Sequence, residues 1–265
     1  MIIGIDVGGT HADGVLLDGG IVKAKCKVDV SQNNLQESII QLLSSLLPEK
    51  KERLTRIHLS TTLCTNAIVN NQLEKVGMLV QAGPGMNPEF LQCGDDLHFL
   101  SGAIDHRGQV QKIPALSDIR RIEKSFLDND INSIGIVTKF SHRNNEHEIW
   151  VQEQLKHVFP HFSLGHQLSG MPNFPRRVYT TWLNSGLKSR FSAFKKAIQQ
   201  GFKRLDIDCP CYILKADGGT IPFEKACDFP CQSIHSGPSA SVMGALALYD
   251  HIGDTVLLDI GGTTT

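Results

Sequence analysis

The residues best suited to chemistry form a short motif that the sequence carries twice. Its copies are Asp6-Val7-Gly8-Gly9-Thr10 and Asp259-Ile260-Gly261-Gly262-Thr263. Glycines let backbone N–H groups approach a phosphate without an obstructing Cβ, and successive N–H groups form an anion-binding concavity. A threonine adds a hydroxyl donor, and an aspartate can hold hydrated Mg²⁺ beside the phosphate. The motif therefore predicts metal-holding carboxylates at Asp6 and Asp259 and phosphate contacts at Gly8, Gly9, Thr10, Gly261, Gly262 and Thr263.

Each copy of the motif follows an apolar run. The first run, residues 2–7, is nearly continuous, which predicts a strand buried on both faces. Apolar residues resume at Val15, so Gly8-Gly9 predicts the turn of a hairpin. A glycine pair alone would also suit a plain hairpin with no ligand. The repeat of the whole unit instead favours two hairpins that grip a polyphosphate and its metal from both sides.

Composition narrows the class of protein. The chain has 265 residues, is 41% hydrophobic and has a formal net charge of -1, which predicts a globular protein and disfavours binding to nucleic acid or to a membrane surface. No apolar run approaches the roughly 18 residues of a membrane span, and the first strand begins without a secretory signal. The seven cysteines are therefore expected to be reduced thiols in a cytoplasmic protein.

The remaining periodicities predict alternating strands and helices. Strands are expected at residues 21–30, 56–61, 75–80, 131–139, 212–216 and 254–259, and helices at 32–47, 117–127, within 142–159, at 173–205 and from Pro238 onward. Residues 83–114 are rich in Gly, Pro and polar residues, which predicts an inserted loop or small subdomain. Five histidines between residues 142 and 166 lack metal-ligand spacing and are expected on a solvated surface.

A second polar group lies at residues 60–66, between a predicted strand and a predicted helix. Its hydroxyl and amide side chains make Thr62, Thr65 and Asn66 candidates for contact with a substrate. Threonine and asparagine also cap helices, and capping alone remains an alternative interpretation of this segment.

These motifs resemble those of known proteins. The paired Asp-x-Gly-Gly-Thr segments are similar to the two phosphate loops of the actin, Hsp70 and sugar-kinase superfamily. The stretch Thr61-Thr62-Leu63-Cys64-Thr65-Asn66-Ala67 resembles one of the hydantoinase A/5-oxoprolinase family, as does the stretch from Ser236 to Ala245. That family also has an aspartate three residues after the first threonine, which Asp13 matches.

The resemblance implies an α/β fold: an actin-like ATPase domain of ribonuclease-H-like units. Residues 1–250 would form a first lobe with an inserted region and a connecting helix, and residues 251–265 would begin a second lobe. The implied function is an ATP-dependent hydrolase that phosphorylates an amide or carbonyl oxygen of a small cyclic substrate. ATP and Mg²⁺ would be the cofactors, with Asp6, Asp13 and Asp259 as catalytic residues. The resemblance also allows for a second enzyme subunit as partner.

Two alternatives remain open from the sequence. One is a small-molecule kinase of the sugar-kinase type, and the other is a non-catalytic nucleotide switch or regulatory subunit. Because the second motif is followed only by Thr264 and Thr265, we also expect an incomplete enzyme. Such a chain would bind Mg-ATP weakly and not turn it over, with Gly261 to Thr265 poorly ordered.

Overall fold

The computed structural model describes residues 1–30, 34–249, 253–258 and 260. It divides the chain into two compact units. Unit 1 comprises Met1–Gln72 and Arg190–Thr265, and unit 2 comprises Leu73–Ser189. The insertion predicted at residues 83–114 is thus part of a larger unit. Asp259, Gly261, Gly262 and Thr263 lie outside the described residues, as does the expectation about order at residues 261–265.

Unit 1 is built on a six-stranded mixed sheet with the order β12-β11-β4-β1-β2-β3. Its strands are β1 (Ile2–Val7), β2 (His11–Asp18), β3 (Ile21–Asp29), β4 (Arg56–Thr61), β11 (Cys211–Leu214) and β12 (Thr220–Pro222). Its helices are α1 (Leu35–Leu46), α2 (Leu63–Val69), α7 (Phe223–Ala226) and α8 (Ser236–Leu248), with the carboxyl-terminal part of α6 (Phe174–Arg204). The predicted hairpin of β1 and β2 is confirmed, as is the order of three strands, a helix and a strand.

The two faces of this sheet differ in their burial. Along β1, Ile3, Ile5 and Val7 are buried, while the residues between them are only half-buried. The prediction that this strand is buried on both faces is therefore wrong, because the second face borders a cavity. Helix α1 packs on the first face so closely that a Cβ on Gly14 would lie 2.5 Å from Leu46 Cδ1.

Unit 2 contains a four-stranded sheet in which every neighbouring pair is parallel, with the order β10-β9-β5-β6. Its strands are β5 (Val76–Gln81), β6 (Asp96–Phe99), β9 (Ser133–Thr138) and β10 (His161–Leu164), beside a separate pair of β7 (Ala103–Ile104) and β8 (Val110–Lys112). Its helices are α3 (Leu116–Asp128), α4 (Glu146–Leu155), α5 (Gly165–Leu168) and the amino-terminal part of α6.

The two central strands of unit 2, β5 and β9, are buried at every residue. On one face Leu79 and Ile134 join a cluster that contains Phe126 of α3, and on the other face Met78 packs with Val178 of α6. Covering both faces of a parallel sheet requires apolar side chains on both, which explains the continuous apolar runs of these strands.

Two further predictions fail in the described residues. Residues 254–258 were expected in a strand, but they form none, and Val256 and Leu258 are 84% and 73% exposed. A strand is stable only when its backbone pairs with a neighbour, and no described strand pairs with this segment.

His147 was expected on a solvated surface, but α4 places it at 2% exposure.

Helix α6 runs unbroken over its 31 residues although it contains Gly186 and Gly201.

Among the described residues, no helix combines the length and apolarity that crossing a membrane requires.

The two glycines of α6 give a test of its packing. Gly201→Ala is expected to raise the free energy of unfolding by about 1 kcal/mol, because alanine favours the helix and its Cβ would lie 3.5 Å from Ile39 Cγ2, an ordinary contact. Gly186→Ala is the matched comparison, since its Cβ would lie 3.2 Å from Leu73 Cβ and the neighbour would have to shift. Urea unfolding measures both, and equal stabilisation by the two variants would contradict this account.

Candidate functional site

The turn between β1 and β2 is formed by Gly8, Gly9 and Thr10. The backbone N–H of Gly8 donates to the carbonyl of His11 at 2.9 Å, and a Cβ on Gly8 would lie 3.0 Å from that oxygen. A side chain at this position would crowd that carbonyl oxygen, so the tight turn favours glycine. Within the described residues, the N–H groups of Gly9 and Thr10 donate to no protein acceptor. They are therefore available to an anion, and the predicted phosphate contacts stay a prediction.

Asp6 lies opposite two polar residues on neighbouring strands. The register of the sheet pairs Asp6 with Asp13 on β2 and with Ser60 on β4. The Ser60 hydroxyl donates to Asp6 Oδ1, and Lys27 Nζ on β3 lies 3.0 Å from Asp13 Oδ2. Both aspartates, Ser60 and Lys27 line a cavity of about 640 Å³. The structure thus brings together the two described residues that the sequence predicts as catalytic.

The donor set at this cavity suits a hydrated magnesium ion. Mg²⁺ prefers oxygen ligands and usually keeps several waters, bound through one or two carboxylates and the phosphates of a substrate. Asp6 and Asp13 supply two carboxylates, and no cluster of three or more metal-ligating side chains occurs among the described residues. Lys25 and Lys27 add positive charge. Burial, together with the charge of Arg56, lowers the pKa of His58, so this histidine is neutral at pH 7.

Gly8 and Gly9 also line a second cavity of about 540 Å³, together with Thr62 and Asn66. The Asn66 amide donates to Thr62 Oγ1 at 3.1 Å. Thr62 precedes α2, but its side chain forms no capping bond. That bond is made by Thr61, whose hydroxyl accepts from the N–H of Leu63. The capping alternative therefore applies to Thr61, whereas Thr62 and Asn66 face a cavity shared with the glycine turn.

Thr65 lies outside the linings of both cavities. Its hydroxyl accepts from the backbone N–H of His235 at 3.0 Å, and it is not among the residues that line either cavity. His235 adopts a left-handed conformation, with φ of 61°, immediately before α8. Thr65 thus holds the entry to α8 and does not line the cavity that Thr62 and Asn66 share, and its contact with a substrate stays a prediction.

Several side chains that line these cavities were not among the predicted site residues, including Ser60, Lys27 and Arg190. Ser60 and Lys27 contact the two aspartates, and Arg190 lines the second cavity and donates to the carbonyl of Gln72. The alternation of lysines along β3 was a signal for Lys27, because alternate residues share one face of a strand.

Two protein-family models together match most of the chain. The family model described as Hydantoinase/oxoprolinase N-terminal region matches residues 2–159, and the model described as Hydantoinase/oxoprolinase matches residues 177–265.

Among curated relatives, the 5-oxoprolinase of Dictyostelium discoideum is 30% identical over 137 residues, which cover 51% of this chain and 11% of that protein. The caprolactamase subunit alpha of Pseudomonas jessenii is 22% identical over 293 residues, which cover 99% of this chain and 42% of that protein. This chain therefore spans less than half the length of either relative.

Two solved structures share the fold. A nucleotide-free acetone carboxylase matches with a TM-score of 0.80 and 19% identity, over 94% of this chain and 40% of that one. The ATP-dependent caprolactamase from Pseudomonas jessenii matches with a TM-score of 0.75 and 20% identity, over 93% of this chain and 40% of that one. The α/β fold predicted from the sequence is confirmed.

The position of Thr65 gives a test that separates support of the fold from substrate contact. Thr65→Val is expected to lower the free energy of unfolding by about 1 kcal/mol, because the N–H of His235 loses its acceptor. Thr62→Val is the matched control and should have a smaller effect, since its hydroxyl accepts only from the half-buried Asn66 amide. Chemical denaturation measures both, and unchanged stability of Thr65→Val would refute the structural role.

Proposed function

This chain belongs to the hydantoinase/oxoprolinase family, and from that premise we propose that it carries the phosphate-binding turn of an ATP-dependent enzyme. The reaction would activate an amide or carbonyl oxygen of a small cyclic substrate by phosphorylation, followed by hydrolysis. The observation that carries this proposal is the pairing of Asp6 with Asp13 and Ser60, directly beside a glycine turn with two available N–H groups. Relatives named as a 5-oxoprolinase and an ATP-dependent caprolactamase support it.

Each residue of the turn has a proposed role. The N–H groups of Gly9 and Thr10 and the hydroxyl of Thr10 would bind phosphate oxygens, while Gly8 keeps the turn tight. Asp6, oriented by the Ser60 hydroxyl, would hold Mg²⁺ or its waters. ATP would supply the phosphoryl group, and the metal would neutralise its charge. Asp259, Gly261, Gly262 and Thr263 remain predicted as the second phosphate loop.

Asp13 and the second cavity are proposed to serve the substrate. Lys27 orients the Asp13 carboxylate, which could then orient an attacking group. Thr62 and Asn66 offer a hydroxyl and an amide, which match the donors and acceptors of a cyclic amide. Phosphorylation of the amide oxygen would activate the ring carbon for attack by water. The C–N bond would then break with the nitrogen leaving as the amine, and hydrolysis of the resulting acyl phosphate would release inorganic phosphate and the carboxylate. The work left to the protein is positioning and charge stabilisation.

A second subunit is a further part of the proposal. The caprolactamase relative is named as a subunit alpha, which implies at least one other subunit in that enzyme. We propose that the protein described here also acts with a partner subunit.

The reaction can be tested on the protein expressed from its intact gene, alone and with any subunit that co-purifies. We expect ATP hydrolysis that depends on Mg²⁺ and is stimulated by hydantoin or 5-oxoproline, with release of the ring-opened product. Simple ketones serve as comparison substrates. A stable phosphorylated product without hydrolysis would indicate a kinase instead, and ATP-dependent shape change without turnover would indicate a nucleotide switch.

Asp6→Asn tests the proposed metal-holding carboxylate. In the protein expressed from its intact gene, turnover of Mg-ATP is expected to fall by about 10²–10³-fold, the usual loss when one charge-stabilising group is removed. Asp18→Asn is the matched control, because Asp18 lies at the far end of β2 in an exposed ion pair with Arg53. Wild-type turnover by Asp6→Asn would exclude the proposed role, and an equal loss in Asp18→Asn would indicate a general effect on stability.

A further inference from the structure

The parallel sheet of unit 2 has a topological switch point. From β5 the chain proceeds to β6 on one side, and from β9 it proceeds to β10 on the other side. The connections therefore diverge between β5 and β9, and open parallel sheets bind ligands beyond the carboxyl ends of the strands at such a point. The last residues of these two strands, Gln81 and Thr138, are register partners.

A buried polar cluster surrounds those two residues. His147 Nδ1 lies 2.9 Å from Gln81 Oε1, and Glu148 Oε1 accepts from the N–H of Thr138 at 2.9 Å. The guanidinium of Arg177 donates to the carbonyl of Thr138 at 3.1 Å. Gln81, Thr138, His147, Glu148 and Arg177 are each at most 2% exposed. Side chains from α4 and α6 thus converge on the ends of β5 and β9.

Four buried side-chain atoms in this cluster have no hydrogen-bond partner: Thr138 Oγ1, Ser141 Oγ, His147 Nε2 and Arg177 Nε. Ser141 belongs to the cluster because its N–H donates to the carbonyl of Thr138. No other such atom occurs in the described part of the chain. An unsatisfied buried polar atom costs about 1–3 kcal/mol. Four around one strand end therefore indicate a missing partner rather than scattered imperfections.

The donor or acceptor character of these four atoms defines the chemistry of the missing partner. Gln81 Nε2 donates to the carbonyl of Ser101, which leaves Oε1 to accept from His147 Nδ1. Burial lowers the pKa of His147, so the ring is neutral and its Nε2 is an acceptor. Arg177 Nε is a donor, and the hydroxyls of Thr138 and Ser141 can donate. The missing group must therefore accept several hydrogen bonds and donate one.

The charge of the cluster favours an anion. Glu148 is already occupied, since its Oε2 accepts from the backbone and from the ring of His166. Arg177 instead donates to carbonyls, and Lys139 Nζ donates to the carbonyl of Pro84. Neither cation forms an ion pair with a carboxylate among the described residues. The Glu148 carboxylate offsets part of the Arg177 charge through space, but neither Arg177 nor Lys139 has a carboxylate in direct contact within the described residues.

We propose that the switch point of unit 2 binds a small oxyanion that carries one O–H group, the chemistry of protonated phosphate or of hydrogencarbonate. Arg177 Nε and the hydroxyls of Thr138 and Ser141 donate to its oxygens, and His147 Nε2 accepts its O–H. This site lies within unit 2 and does not depend on the nucleotide site proposed in unit 1.

Thermal unfolding and titration calorimetry of the chain test the site, with sodium phosphate and sodium hydrogencarbonate titrated separately at constant ionic strength set with sodium chloride. At least one of them is expected to bind and to raise the unfolding temperature, and the tighter one identifies the ligand. Nitrate has the planar shape of hydrogencarbonate but no O–H group. It should bind about tenfold more weakly, the order of loss for one hydrogen bond to an ion.

Two variants locate the binding. Thr138→Val and Ser141→Ala should each weaken binding about tenfold. Neither should unfold more easily without ligand, because each removes a hydroxyl that has no protein partner. Ser133→Ala, a buried serine at the opposite end of β9, is the matched control and should bind like wild type. No response beyond that of chloride would overturn the proposal. A response unchanged in Thr138→Val and Ser141→Ala would also overturn it, because the anion would then bind elsewhere, such as at the turn of unit 1.

Discussion

The candidate site of unit 1 depends on the register of one central strand. Strand β1 pairs antiparallel with β2 and parallel with β4, and these two pairings place Asp13 and Ser60 on either side of Asp6. A shift of one residue in either pairing would move the opposing side chain to the other face of the sheet. The buried residues Ile3, Ile5 and Val7 oppose such a shift, because it would turn their face toward solvent. The hydrophobic face of β1 therefore fixes the geometry of its polar face.

The local part of this arrangement could be predicted from the sequence. The hairpin, its glycine turn and the helices follow from periodicities within short windows, where backbone geometry sets the spacing. Asp13 was associated with Asp6 through the resemblance to the family motif, and the two residues flank one tight turn. The contact of Ser60 with Asp6 could not be predicted, since it depends on a parallel pairing between residues 54 positions apart. The contact of Thr65 with the N–H of His235 could not be predicted for a similar reason, because the two residues are 170 positions apart.

The polar cluster of unit 2 was even harder to predict from the sequence, because it also depends on contacts between residues that are far apart in the chain. Gln81, Thr138, His147 and Arg177 come from four separate elements, and nothing in their local spacing links them. His147 was interpreted as a surface residue because histidines without metal-ligand spacing are usually solvated. Its burial follows from the packing of α4 on the sheet, which places Val151 and Leu155 in the core on neighbouring turns. Tertiary packing, not propensity, decided the environment of this side chain.

The discontinuity of unit 1 also affects how the chain folds during its synthesis. Strand β11, which pairs with β4, follows Thr61 by 150 residues, counted from position 61 to position 211. At about 5–20 residues per second, the ribosome needs roughly 8–30 s to supply that strand. During this interval the edge of β4 lacks its partner, and open strand edges pair readily with other chains. Unit 2 is contiguous and can complete its sheet in the meantime. Folding of the nascent chain thus begins with one edge of a sheet unpaired until β11 is translated, and the time of greatest exposure to aggregation is set mainly by the length of unit 2.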